Sequence, residues 1–65
     1  MDFVHRRMEI ISILSVKRHI TTRELAWEFG VTRRTILHDI VALSFDYPIY
    51  TKPGEGGGIF ITENY

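Results

Sequence analysis

Three helices followed by a two-stranded β-hairpin, a mainly α class with a small β element, is the fold this 65-residue sequence predicts. Three observations carry it. Apolar residues recur at helical spacing from Phe3 to Leu14, two cap-and-helix signatures follow in quick succession at Thr21 and Thr32, and the tail changes to short β-prone runs around a glycine-rich segment.

The first helix is expected over about residues 3–18. Phe3, Val4, Met8, Ile10, Ile11 and Leu14 fall at i, i+3, i+4 and i+7, the spacing of one buried face. Ile13 and Val16 lie off that stripe. Lys17, Arg18 and His19 place positive or ionisable groups at the C-terminal end, where the helix dipole favours them.

The second helix, about 22–29, has the sharper start. Thr21 as N-cap and Glu24 three residues on form a capping box, and Ile20 and Leu25 flank it as a hydrophobic staple. Gly30 follows Phe29 and suits the left-handed conformation that ends a helix. Trp27 and Phe29, near its end, are expected to pack in the core or against another subdomain rather than stack on bases.

The same grammar then repeats, with Val31 and Ile36 as staple and Thr32 as N-cap, so a third helix is expected over about 33–44. Its buried stripe is Ile36, Ile40 and Leu43, which leaves Arg34 and His38 one turn apart on the outer side. Leu37 and Val41 lie off the stripe and are open to a thymine methyl, the hairpin or a second copy. Asp39 would repel phosphate if it faced a nucleic acid and is read as structural, paired with an arginine of the first helix. Two capped helices joined by a short glycine-containing turn make a helix-turn-helix.

Pro48 to Thr51 and Ile59 to Thr62 read as two strands of a wing, about 48–62, separated by Lys52, Pro53 and the run Gly54 to Gly58. That run opens a strand and matches neither GxGxxG nor GxxxxGK[ST], so it is not read as a nucleotide loop. The whole chain, residues 1–65, is read as one winged helix-turn-helix domain.

Composition narrows the function. A domain this small buries about 60% of the surface of its unfolded chain and has little volume for an enclosed catalytic cleft. There are no cysteines, so no disulfide or thiolate zinc site is expected, and His5, His19 and His38 lack metal-ligand spacing. Ser12, Ser15 and Ser44 lack a nucleophile context, and no pair of carboxylates is set to share a substrate. An enzyme, a metal site and a cofactor are therefore not expected. With no signal-like or membrane-length apolar run, a cytoplasmic location is the expectation.

The formal charge is zero, eight Lys and Arg against eight Asp and Glu, which opposes DNA binding unless the cations are segregated. Arg33 and Arg34 sit at a helix N-terminus, where the dipole prefers anions; phosphates or guanine edges would supply the missing counter-charge. Thr32 and Thr35 add hydroxyls at the same helix start, Thr22 and Arg23 begin the preceding helix, His38 extends the outer face beside Leu37, and Lys52 lies at the wing. The candidate DNA-contacting set is thus Thr22, Arg23, Thr32, Arg33, Arg34, Thr35, Leu37, His38 and Lys52. An alternative use, as a winged-helix module that docks another protein, fits the neutral charge and the acidic Glu55 in the wing.

The run ITTRELAWEFGVTRRTILHDIVAL, Ile20 to Leu43, resembles the N-terminal winged helix-turn-helix of DeoR-type bacterial regulators and is similar to that of the biotin protein ligase-repressors. Pro48, Ile49 and GEGGGIFI, Gly54 to Ile61, look like the family's wing. The resemblance implies duplex DNA as partner, residues 33–44 as the helix in the major groove, and transcriptional regulation as the role. It departs at His38 and Glu55, where many relatives carry basic residues. Such regulators usually carry a further effector-binding or oligomerisation domain, so a homodimer or a partner protein is expected to assist this module.

Overall fold

In the computed structural model, which describes residues 2–65, the chain runs α1 (Phe3–Lys17), β1 (His19–Ile20), α2 (Thr22–Phe29), α3 (Arg33–Leu43), β2 (Ile49–Lys52) and β3 (Gly58–Ile61). The three helices and the antiparallel β2–β3 hairpin are those the sequence predicts. Added to them is β1, which pairs antiparallel with β3 through His19 opposite Phe60 and Ile20 opposite Ile59, giving a three-stranded sheet in the order β1-β3-β2. Two residues are too few to carry a strand periodicity, and the pairing is set only when the hairpin closes on the end of α1.

That closure also fixes where α1 stops. Arg18, expected within the helix, instead adopts φ 69° as its left-handed C-cap and donates its amide to the Leu14 carbonyl. Its own carbonyl then accepts from the Ile61 amide at 3.2 Å, so the chain leaves α1 already aligned with β3. At the other end Asp2 caps α1, its carboxylate accepting from the His5 amide at 2.9 Å.

Both caps of the helix-turn-helix form. Thr21 Oγ1 accepts from the Glu24 amide at 3.0 Å while the Thr21 amide donates to Glu24 Oε1 at 3.2 Å, completing the capping box. Thr32 Oγ1 accepts from the Thr35 amide at 3.1 Å. Gly30 ends α2 at φ 64°, a conformation that a side chain would strain.

The core is one cluster. Ile10, Ile11 and Leu14 of α1, Ile20 of β1, Leu25 and Ala26 of α2, Ile36, Ile40 and Leu43 of α3, and Ile49, Ile59 and Ile61 of the sheet all bury against one another. Ile20 serves twice, as staple before α2 and as the inward residue of β1. The N-terminal half of the expected α1 stripe does not join them: Phe3, Val4 and Met8 are exposed, and in these early turns it is Arg6 and Arg7 that face inward, onto Asp39 of α3. Ile13 packs on the edge of the core, and Val16 faces outward.

Trp27 is a second correction. It is not in the core but 88% exposed. Leu25, Ala26 and the half-buried Phe29 define the inner face of α2, and at 3.6 residues per turn position 27 falls on the opposite side. Phe29 does pack against the core.

Candidate nucleic-acid interface

The site is assembled from three separated stretches of chain. The N-terminus of α2, the N-terminus of α3 and the β2–β3 hairpin converge on an open groove of about 750 Å³, to which Thr22, Arg23, Arg33, Leu37 and Lys52 all contribute. A second, shallower groove lies along the outer face of α3 between Arg34, Thr35, Leu37, His38 and Val41, so Leu37 is common to both. Of the residues singled out in the sequence, only Thr32 lines neither; it sits exposed at the α3 N-cap, its hydroxyl 3.0 Å from that of Thr35.

The charge distribution resolves the neutrality of the chain. No Asp or Glu lines either groove, and Glu55, at the exposed hairpin tip, stays outside both. Among the described residues, Arg23, Arg33, Arg34 and His38 make no side-chain hydrogen bond or ion pair with the protein. Lys52 is held differently, its ammonium 5.2 Å from the centre of the Phe60 ring. Phe60 in turn stacks between Tyr50, at 5.3 Å, and His19, at 4.3 Å, so the outward face of the sheet is an aromatic row that steadies the wing lysine.

The hairpin that delivers Lys52 depends on glycine at one position above all. Gly57 is buried, its amide donates to the Gly54 carbonyl at 3.0 Å, and a Cβ there would meet the backbone carbonyls of Lys52, Pro53 and Gly54. Its own carbonyl lies 2.9 Å from His19 Nε2, which ties the turn back to β1.

The remaining arginines of the N-terminal half are committed to structure. Asp39, on α3, is fully buried and receives the Arg6 guanidinium through Nε and Nη2, the latter at 3.0 Å, and Arg7 Nε at 2.9 Å. Burial works against its charge, yet the hydrogen bonds and positive charge of the two guanidinium groups outweigh that, and the carboxyl is held below the ordinary carboxylate value. The pairing of Asp39 with the first helix is thus as expected from sequence, with two arginines in place of one. It fixes α3 on α1 and removes Arg6 and Arg7 from any ligand surface. Arg18 is likewise engaged, donating to the Thr62 carbonyl.

Sequence reasoning missed Thr21, Thr51 and Pro53 as groove-lining residues. Thr21 had a sufficient local role as a cap. Thr51 and Pro53 flank Lys52, so their proximity to the groove follows once the lysine is placed there.

A helix-turn-helix whose second helix is flanked by a β-wing defines the class: this is a winged helix-turn-helix domain. Residues 6–59 match the model of the HTH domain family, and the chain belongs to that family. Over 63 residues it is 38% identical to the uncharacterized HTH-type transcriptional regulator YobV of Bacillus subtilis (strain 168), a match that covers 95% of this chain and 20% of that protein. The chain therefore spans about a fifth of the length of this curated relative. No solved structure matches it. No helix among the described residues is long and apolar enough to cross a membrane.

Proposed function

We propose that this domain binds duplex DNA in a sequence-dependent manner, as the DNA-binding unit of a bacterial transcriptional regulator of DeoR-like type acting in the cytoplasm. The observation that carries the reading is the groove itself. Arg23, Arg33 and Lys52 come from three different elements, meet around one acid-free surface, and form no ion pair among the described residues.

The geometry suits the partner. An α-helix with its side chains is about 10–12 Å across and fits the B-DNA major groove, which is about 12 Å wide. With α3 in that groove, Arg34, Leu37, His38 and Val41 face base edges, where an arginine recognises guanine O6 and N7 and an apolar side chain meets a thymine methyl. Thr22, Arg23, Thr32, Arg33 and Thr35 then lie toward the flanking phosphates, and Lys52 approaches the backbone or minor groove from the wing. A single module of this size makes few phosphate contacts, so a homodimer or a partner domain is needed for tight binding.

Titration of a short mixed-sequence duplex across a salt series tests this. Binding that weakens steeply with salt, with the log–log slope reduced by about 1 in Arg33→Ala, is the expected result. No measurable association at low salt would exclude the reading for this chain.

A further inference from the structure

Trp27 is the most exposed large apolar side chain of the described residues, at 88%, and it is the single tryptophan of the chain. Its position is not isolated. Together with Arg23, one helical turn earlier, and Arg33, at the start of α3, it lines a third surface hollow completed by Ala26, Gly30 and Val31. Arg23 and Arg33 also line the main groove, so the two surfaces are continuous through this pair of arginines, and the extension carries no acidic side chain. Of the two carboxylates on the same helix, Glu24 is turned onto Thr21, whose hydroxyl donates to it at 2.9 Å, and Glu28 lies outside the hollow.

From this arrangement we infer that Trp27 is a DNA-backbone contact: the indole lies against the deoxyribose–phosphate chain just outside the groove, with Nε1–H donating to a phosphate oxygen that Arg23 or Arg33 also approaches. The inference rests on the proposed DNA-binding function and adds a residue to it that the helix-turn-helix grammar does not supply. An exposed indole among uncompensated guanidinium groups is poorly matched to water alone. It is well matched to a polyanion whose sugars offer apolar surface between the charges, since a tryptophan presents an apolar face and a single donor together. The contact reads no base, so it acts on affinity across sequences rather than on choice of site.

Because Trp27 is the single tryptophan, its emission reports this side chain alone. The experiment titrates a short mixed-sequence DNA duplex into the folded chain at low salt, reading tryptophan emission, with anisotropy of a labelled duplex for the variants. Saturable change of the emission, binding about tenfold weaker in Trp27→Ala, and a smaller loss in Trp27→Phe, which keeps a ring but lacks the donor, are expected. The salt slope should stay unchanged in Trp27→Ala and fall in Arg33→Ala, because only the second removes a charge. Unchanged emission together with full affinity of Trp27→Ala, while Arg33→Ala is weakened, overturns the contact and leaves the DNA-binding function standing. No association in any of these proteins overturns both. Concentration-dependent emission without DNA, with a sedimenting dimer that Trp27→Ala abolishes, assigns the ring to a second copy and likewise overturns it.

Discussion

Arg6 and Arg7 of α1 and Arg23, Arg33 and Arg34 of the helix-turn-helix carry the same charge and do opposite things. The first two are part-buried, meet at the fully buried Asp39, and bind α1 to α3. The others stand exposed around grooves with no acidic lining and no partner among the described residues. Net charge, which is zero, hides this division. A compact module can be neutral overall and still present an anion-binding surface if its acids are spent elsewhere: on Asp39 in the interior, on Asp2 and Glu24 at helix caps.

The largest effect should come from breaking the interior pair. Asp39→Asn leaves two guanidinium groups part-buried beside a neutral amide, and removal of one partner from a buried ion pair typically costs about 3–5 kcal/mol. Total stability for a domain of this length is only about 3–10 kcal/mol, so the urea midpoint should fall sharply or the fold be lost. Arg6→Ala, which removes two of the three hydrogen bonds to the carboxylate, should follow it in the same assay.

Acid should reproduce the loss in the unmodified chain. The Asp39 carboxyl titrates below its usual value of 3.8 in the folded protein, so as pH falls the unfolded chain takes up the proton first. Its contribution is complete above 3.8 and is lost as pH drops through the folded value. Asp2 and Glu24, both lowered by their capping hydrogen bonds, push in the same direction. Urea midpoints measured from neutral to acid pH should decline, and the decline should be shallower in Asp39→Asn where that variant folds.

The exposed arginines should behave in reverse. Arg33→Ala and Arg34→Ala should leave the urea midpoint unchanged or raise it slightly, because a cation at a helix N-terminus opposes the dipole by a few tenths of a kcal/mol. Binding should separate the two. Arg33→Ala should weaken all duplexes alike, whereas Arg34→Ala should cost about 1–3 kcal/mol on a selected site and relax preference for one base there. If Arg34→Ala instead destabilised the fold as Arg6→Ala does, the contrast between the two arginine sets would collapse.

The features legible in the sequence are those whose partners lie within a turn or two. Thr21 with Glu24, Thr32 with its helix start, Gly30 as a stop and the Ile36, Ile40, Leu43 stripe all declare themselves at separations of three or four residues. Asp39 was legible on a different ground, that a carboxylate facing a nucleic acid would repel phosphate, and its pairing with the first helix spans 32 and 33 residues. What was not legible needed distant chain. β1 exists only because β3 returns to it, the inward turning of Arg6 and Arg7 in place of Phe3, Val4 and Met8 depends on Asp39 of α3, and Trp27 was misjudged because an eight-residue helix against a small core has a narrow buried face. The candidate residues were named one by one; that Arg23, Arg33 and Lys52 share a groove depends on the Gly57 turn bringing the hairpin back onto the two helices.

The smallest predicted effect sharpens the contrast at the caps. Thr21 and Thr32 hold equivalent positions, but Thr21 has a reciprocal partner in Glu24, whereas the third helical position after Thr32 is Thr35, which returns only a hydroxyl contact. Loss of an N-cap hydroxyl typically costs about 1 kcal/mol, so Thr21→Ala should lower the free energy of unfolding, read from urea titration, by about that amount and Thr32→Ala by less. DNA affinity should show the opposite order. Thr21 is half-buried and its hydroxyl donates to Glu24, while Thr32 is exposed at the start of α3, beside Arg33, where its hydroxyl has only Thr35 as a partner and is free to donate to the expected phosphate. A Thr32→Ala variant that loses more binding than stability, paired with a Thr21→Ala variant that does the reverse, would place the line between scaffold and interface within two caps of the same motif.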